Sequence, residues 1–129
     1  MKDANRENEL SYAIRKGIFA VYNELGPSLL EAVYESALFL ELTSAGLEVK
    51  RQVGVPVSYK GENLDIGFRL DLLVENLVII EIKSVEDLRE VHHKIVLTYL
   101  RLAKKKLGLL VNFGANDISK SIFRKVNGL

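Results

Sequence analysis

Residues 67–84, Gly-Phe-Arg-Leu-Asp-Leu-Leu-Val-Glu-Asn-Leu-Val-Ile-Ile-Glu-Ile-Lys-Ser, constrain this chain more than any other stretch. Two apolar runs flank the polar pair Glu75-Asn76, so the segment reads as a hairpin with strands over about Leu64–Val74 and Leu77–Ser84. Three side chains interrupt the apolar pattern: Asp71, Glu81 and Lys83. Strands this hydrophobic are normally buried, and a buried charge without a partner costs several kcal/mol. The two carboxylates and the ammonium therefore need partners, and a divalent cation is one that suits them.

Hairpin register decides whether the three groups can share a site. A two-residue turn at Glu75-Asn76 pairs Asp71 with Ile80 and sends Asp71 and Glu81 to opposite faces. A common site needs Asp71 opposite Glu81, hence a three-residue loop over Glu75–Leu77 or a bulge before the site. Glu81 and Lys83 share a face in either case, since strand residues two apart point the same way.

The rest of the chain supplies support for this hairpin. Apolar residues at Leu10, Ala13, Ile14, Ile18, Val21, Tyr22 and Leu25 have helical spacing, and Gly26-Pro27 ends that helix. A second helix is expected from about Ser28 to Ala45. From Leu47 to Tyr59 the context becomes β-branched, which predicts an edge strand with a bulge near Gly54-Pro56. After the hairpin come a charged connection, a helix over about His92–Ala103, and a strand over Leu107–Phe113. Residues 118–126 read as a short helix or an extended tail. Strands followed by a crossover helix and a further, parallel strand define an α/β fold, a mixed sheet with helices on both faces.

Composition narrows the class. At 129 residues the chain is expected to form a single domain, 1–129, and without cysteine it holds no disulfide framework or thiolate zinc site. The polar start leads to the expectation of no signal peptide, and no apolar run reaches membrane-helix length, so a cytoplasmic location is expected, with no membrane partner. The formal charge of +1 hides a split. Through Ile82 the chain has 8 Lys/Arg against 13 Asp/Glu, a net of −5; from Lys83 it has 10 against 4, a net of +6. Either a basic face for a polyanion or two complementary halves would produce it.

Asp71, followed ten residues later by Glu81-Ile82-Lys83 on the neighbouring strand, resembles the split signature of the PD-(D/E)xK nuclease superfamily. Gly-Pro-Ser-Leu-Leu-Glu-Ala-Val-Tyr at 26–34, Gly-Phe-Arg-Leu-Asp at 67–71 and the final Val-Asn-Gly-Leu are similar to the small GxxExxY family within it. Ser28 stands where that motif has its glycine. The resemblance spans nearly the whole chain and implies a restriction-endonuclease-like mixed central sheet flanked by helices. It implies a metal-dependent nuclease that hydrolyses phosphodiester bonds of DNA or RNA. Asp71, Glu81 and the Ile82 carbonyl would hold Mg2+ or Mn2+; Lys83 would orient the attacking water or stabilise the pentavalent phosphorus; Glu31 would hold a metal-bound water or pair with Lys83. Tyr34, Arg69 and Tyr99 are candidates for the surrounding shell. Related nucleases often carry a glutamine four residues before the tyrosine of the following helix, where this chain has Ile95 before Tyr99. A catalytically weak nuclease-fold protein that binds nucleic acid or a protein partner is therefore the competing reading. A homodimer is a further expectation, as one way for so small a nuclease to span a duplex.

Structural roles compete for several of these residues. Ser28 and Glu31 have the spacing of a capping box. Tyr34 suits the core, and Arg69 with Asp71 or Glu81 with Lys83 could be simple ion pairs. His92 and His93 point in different directions on a helix and suit an exposed helix start. Lys104–Lys106 reads as a solvated turn or as a patch that contacts phosphates.

Overall fold

Five strands in the order β1-β2-β3-β4-β5 form one mixed sheet in the computed structural model, which describes residues 2–129. The elements are α1 (Lys2–Leu25), α2 (Glu31–Ser44), β1 (Val49–Tyr59), β2 (Glu62–Val74), β3 (Val78–Lys83), α3 (Glu90–Ala103), β4 (Leu107–Asn112) and β5 (Ile122–Val126), with a 3-10 turn at Ile118–Lys120. All neighbours are antiparallel except β3 and β4, which α3 joins as a parallel pair. The result is the expected restriction-endonuclease-like α/β architecture. Among the described residues no helix is long and apolar enough to cross a membrane.

Packing follows the two periodicities. Leu10, Ile14, Ile18 and Val21 of α1, with Leu38 and Leu42 of α2, cover Leu72, Val74, Val78, Ile80, Ile82, Leu109 and Val111 on one face. Val96 and Leu100 of α3 cover Leu73, Ile79 and Leu110 on the other. Both central strands are thus covered on both sides, which is why β3 and β4 read as unbroken apolar runs.

Several local expectations change. Helix α1 begins well before Leu10; Glu7 is buried on its inner stripe, and a glutamate there masks the helical pattern. Helix α2 begins at Glu31 rather than Ser28, after an extended Leu30 that makes no side-chain cap. Ser28 has φ 71, and its amide donates to the Phe113 carbonyl, so the capping box does not form. The register shift in β1 lies between Pro56 and Ser58, just after the expected bulge. Opposite Pro56, Gly67 lets the strands approach so closely that a Cβ there would stand 2.1 Å from the Val55 carbonyl oxygen. Finally, Ile122–Val126 is a fifth strand pairing with β4. Its Ile122 and Phe123 face opposite cores, so this short edge strand lacks the one-sided alternation that would announce it.

Candidate active site

The β2–β3 pairing settles the register. Val74 pairs with Val78, Leu73 with Ile79 and Leu72 with Ile80, leaving Glu75-Asn76-Leu77 as a three-residue loop. Continuing this register sets Asp71 opposite Glu81. Glu75 and Asn76 both adopt positive φ, 53 and 57, and the Leu77 amide closes the turn on the Val74 carbonyl. The Glu75 carboxylate also accepts from the Glu48 amide and from Arg6, which fixes the loop to the start of β1 and to α1.

Asp71 accepts a hydrogen bond from the Ile82 amide at 2.8 Å. A strand residue sends its N–H and C=O to the same side, so the Ile82 carbonyl faces the same edge as Asp71. Glu81 is only 7% exposed, and its Oε2 lies 3.6 Å from the Lys83 ammonium. Its Oε1 is buried with no hydrogen-bond partner. Burial, then the nearby Asp71 charge, pushes the Glu81 carboxyl up to about 7, with Lys83 pulling it back. Asp71 is raised as well, chiefly by burial; the Ile82 amide opposes the rise, and the charges of Glu35 and Glu31 add to it. Two carboxylates that each disfavour the other's charge form an electron-rich pair suited to a hard cation. Among the described residues no three His, Cys, Asp or Glu side chains cluster in an arrangement that could hold a metal ion, and the candidate donors remain Asp71, Glu81 and the Ile82 carbonyl.

Glu31 reaches the same end of the sheet from the first turn of α2, where its Oε2 accepts from the Ser84 amide at 3.3 Å. The Ser84 hydroxyl donates to the Leu29 carbonyl, tying the exit of β3 to the entry of α2. Lys83 pairs with Glu81, and among the described residues makes no ion pair with Glu31. A cleft of about 290 Å³ is lined by Glu31, Ala32, Glu35, Gln52, Asp71 and Ile82.

The outer candidates separate. Tyr99 on α3 stacks on Phe68 at 4.3 Å, and its hydroxyl is raised by burial and then by the Glu81 charge, so it borders the acidic pair. Tyr34 is fully buried, stacks on Phe113 at 4.2 Å, donates to the Gly26 carbonyl and accepts from the Leu29 amide. It shapes the 26–30 connection that carries Glu31. Arg69 is exposed, makes no ion pair with Asp71, and lines a separate hollow with Gly54, Pro56 and Ile66. Ile95 is half-buried one turn before Tyr99. His92 is also half-buried rather than exposed, and its Nδ1 accepts from the Arg89 amide as a helix cap. Val78 pairs with Leu107, so Lys104–Lys106 precedes β4 at the far end of the sheet, about 16 Å along the strand from Lys83.

Sequence reasoning missed three supporting residues. Glu35 follows Glu31 by one helical turn, a spacing that could have revealed it; it is buried and accepts from Arg51 and Gln52. Gln52 carries no sequence signal. Neither does Asn112, which is buried and clamps Val85 through both its amide and carbonyl while accepting from the Gly114 amide. A Cβ at Gly114 would lie 2.2 Å from the Val85 carbonyl oxygen, so this clamp needs glycine.

An α/β domain with a split acidic pair and a lysine at the end of its central hairpin belongs to the restriction-endonuclease-like class. A family model of the PD-(D/E)XK nuclease superfamily matches residues 8–125, and the chain is a member of that superfamily. No curated protein and no solved structure matches it.

Proposed function

We propose that this chain is a metal-dependent nuclease that hydrolyses phosphodiester bonds in DNA or RNA, acting as a single domain. The observation that carries the reading is the unpartnered, buried Oε1 of Glu81, beside Asp71 and within reach of Lys83. A protein gains nothing in stability from an orphaned carboxylate oxygen. Asp71, Glu81 and the Ile82 carbonyl would hold a divalent cation, Mg2+ or Mn2+. When bound, the cation supplies charge neutralisation for the phosphoryl oxygens and lowers the pKa of water. Lys83, restrained by Glu81, orients the attacking water and offsets negative charge that develops on phosphorus as the new P–O bond forms and the ester P–O bond breaks. Glu31, anchored to the Ser84 amide, faces the same space and accepts a hydrogen bond from that water.

The test is cleavage of mixed DNA and RNA substrates with Mg2+ or Mn2+, beside Asp71→Ala and Lys83→Ala. Loss of cleavage by at least about a hundredfold in both is expected, in line with removal of a charge-stabilising group. Cleavage that persists in both variants defeats the reading. One observation favours a weaker descendant that binds without turnover: Ile95 presents an apolar group one turn before Tyr99. Salt-sensitive nucleic-acid binding without cleavage would select that alternative.

A further inference from the structure

Strands β1 and β2 both change faces at one pair of facing positions, Gln52 and Asp71. Phe68 and Leu70 pack on the α3 side, whereas Leu72 and Val74 pack on the α1–α2 side, although Leu70 and Leu72 are two residues apart and should share a face. In β1, Val53 and Val55 pack on the α3 side and Val49 on the other. Arg51 likewise reaches α2, bonding Glu35 and Ser36. The pairing is intact on each side, Arg51 with Leu72 and Val53 with Leu70, but the pair between them, Gln52 and Asp71, is missing from the ladder.

Gln52 has φ 50, the left-handed region that L-residues with a side chain avoid. Of the other positive-φ residues with a side chain among the described residues, only Asp65 also lies inside a strand, and it sits beside the register shift at Pro56 and Ser58. No such shift accounts for Gln52. Its side-chain amide donates to Glu35 Oε1 at 2.6 Å, and Arg51 holds the other oxygen of the same carboxylate. The bond from α2 thus secures a backbone conformation that the strand would otherwise reject.

We infer that Gln52 and Glu35 are positioning residues: the left-handed kink at Gln52, pinned by Glu35, is what turns Asp71 from the sheet face into the space between Glu81 and α2. In an uninterrupted β2, Asp71 would project squarely to one face. At the switch it lies between the two, so one carboxylate meets both the Ile82 amide and the cleft that Glu31 and Glu35 line. Irregular strands beside active sites commonly re-aim a side chain in this way. The inference deepens the nuclease reading but is measured without turnover.

Hydrogen exchange of the Ile82 amide reports the bond to Asp71 directly. Gln52→Val, whose branched side chain disfavours left-handed φ, should lower Ile82 protection at least about tenfold while the Leu73 and Ile80 amides keep theirs. Gln52→Gly, which adopts φ above zero freely, should keep Ile82 protection within about threefold of wild type. Mn2+ affinity should fall in Gln52→Val alongside the lost protection. Unchanged Ile82 protection in Gln52→Val overturns the inference, and so does an equal loss in Gln52→Gly. Should Gln52→Val not fold, Gln52→Ala replaces it, and Ile82 protection in Gln52→Ala equal to that in Gln52→Gly is again contrary. Absence of cleavage by the wild type would defeat the nuclease reading and leave this result standing.

Discussion

Glu81 keeps a carboxylate oxygen buried without a partner, and its proton affinity measures the cost. The folded carboxyl titrates at about 7 against an ordinary value of 4.5, so the folded state binds the proton more tightly than the unfolded chain. Its contribution is fully present below about pH 4.5 and is lost as pH rises through about 7. Replacing it with a neutral isostere should remove that loss. Glu81→Gln should therefore be more stable than wild type by about 2 kcal/mol at about pH 8, with the difference shrinking toward pH 5, while cleavage is lost. Chemical denaturation across that pH range is the measurement, and a Glu81→Gln protein less stable at the alkaline end contradicts the assignment. Tyr34 makes the opposite kind of contribution, since its hydroxyl serves two main-chain groups of the 26–30 connection. Tyr34→Phe leaves the Gly26 carbonyl and Leu29 amide without that partner and should cost about 1–2 kcal/mol in denaturation midpoints.

The three-residue loop is the element on which the site depends. It sets Val74 against Val78 and so Asp71 against Glu81, and it does so with two successive residues at positive φ. Asn76→Val should cost about 1–2 kcal/mol, since a branched side chain is poorly tolerated there, whereas Asn76→Gly should stay within about 0.5 kcal/mol of wild type. Urea denaturation compares the two; equal losses would mean that the loss of the Lys105 bond to Asn76 matters more than backbone conformation. Helix α2 is the second such element. By starting at Glu31 instead of Ser28, it frees that glutamate from capping and points it at Ser84. Tyr34, three residues on, holds the incoming chain in place.

At the scale of the whole molecule, ion pairs between the two halves do not resolve the charge asymmetry among the described residues. Arg6 pairs with Glu9 and Glu75, Arg51 with Glu35, and Lys94 with Glu90, each within its own half. Among the described residues only Lys83 with Glu81 crosses the division, between neighbours on one strand. Among the described residues the basic half therefore keeps most of its charge outside ion pairs. Lys104–Lys106 sits at the opposite end of the parallel pair from Lys83 and is not the cation cluster nearest the cleft. The double variant Lys105→Ser, Lys106→Ser should change cleavage by no more than about twofold and leave its salt dependence nearly unaltered. Rates measured over a range of ionic strength check this, and a markedly shallower salt dependence would place the substrate across the far end.

What the sequence by itself determined was the inventory and its order. Period-2 and period-3.6 patterns gave the α/β layout, and the charges misplaced on apolar strands marked Asp71, Glu81 and Lys83, because burial makes an unpaired charge conspicuous. It also posed the register condition, since side chains on a strand alternate strictly. The tertiary structure alone decided which answer holds, through two backbone residues in left-handed φ that the identities Glu75 and Asn76 permit without dictating. It alone revealed β5, whose edge position hides its alternation, and it alone gathered Glu35, Gln52 and Asn112 around the site. Those three act through bonds to residues 17 to 27 positions away, and no local pattern records a partner at that distance.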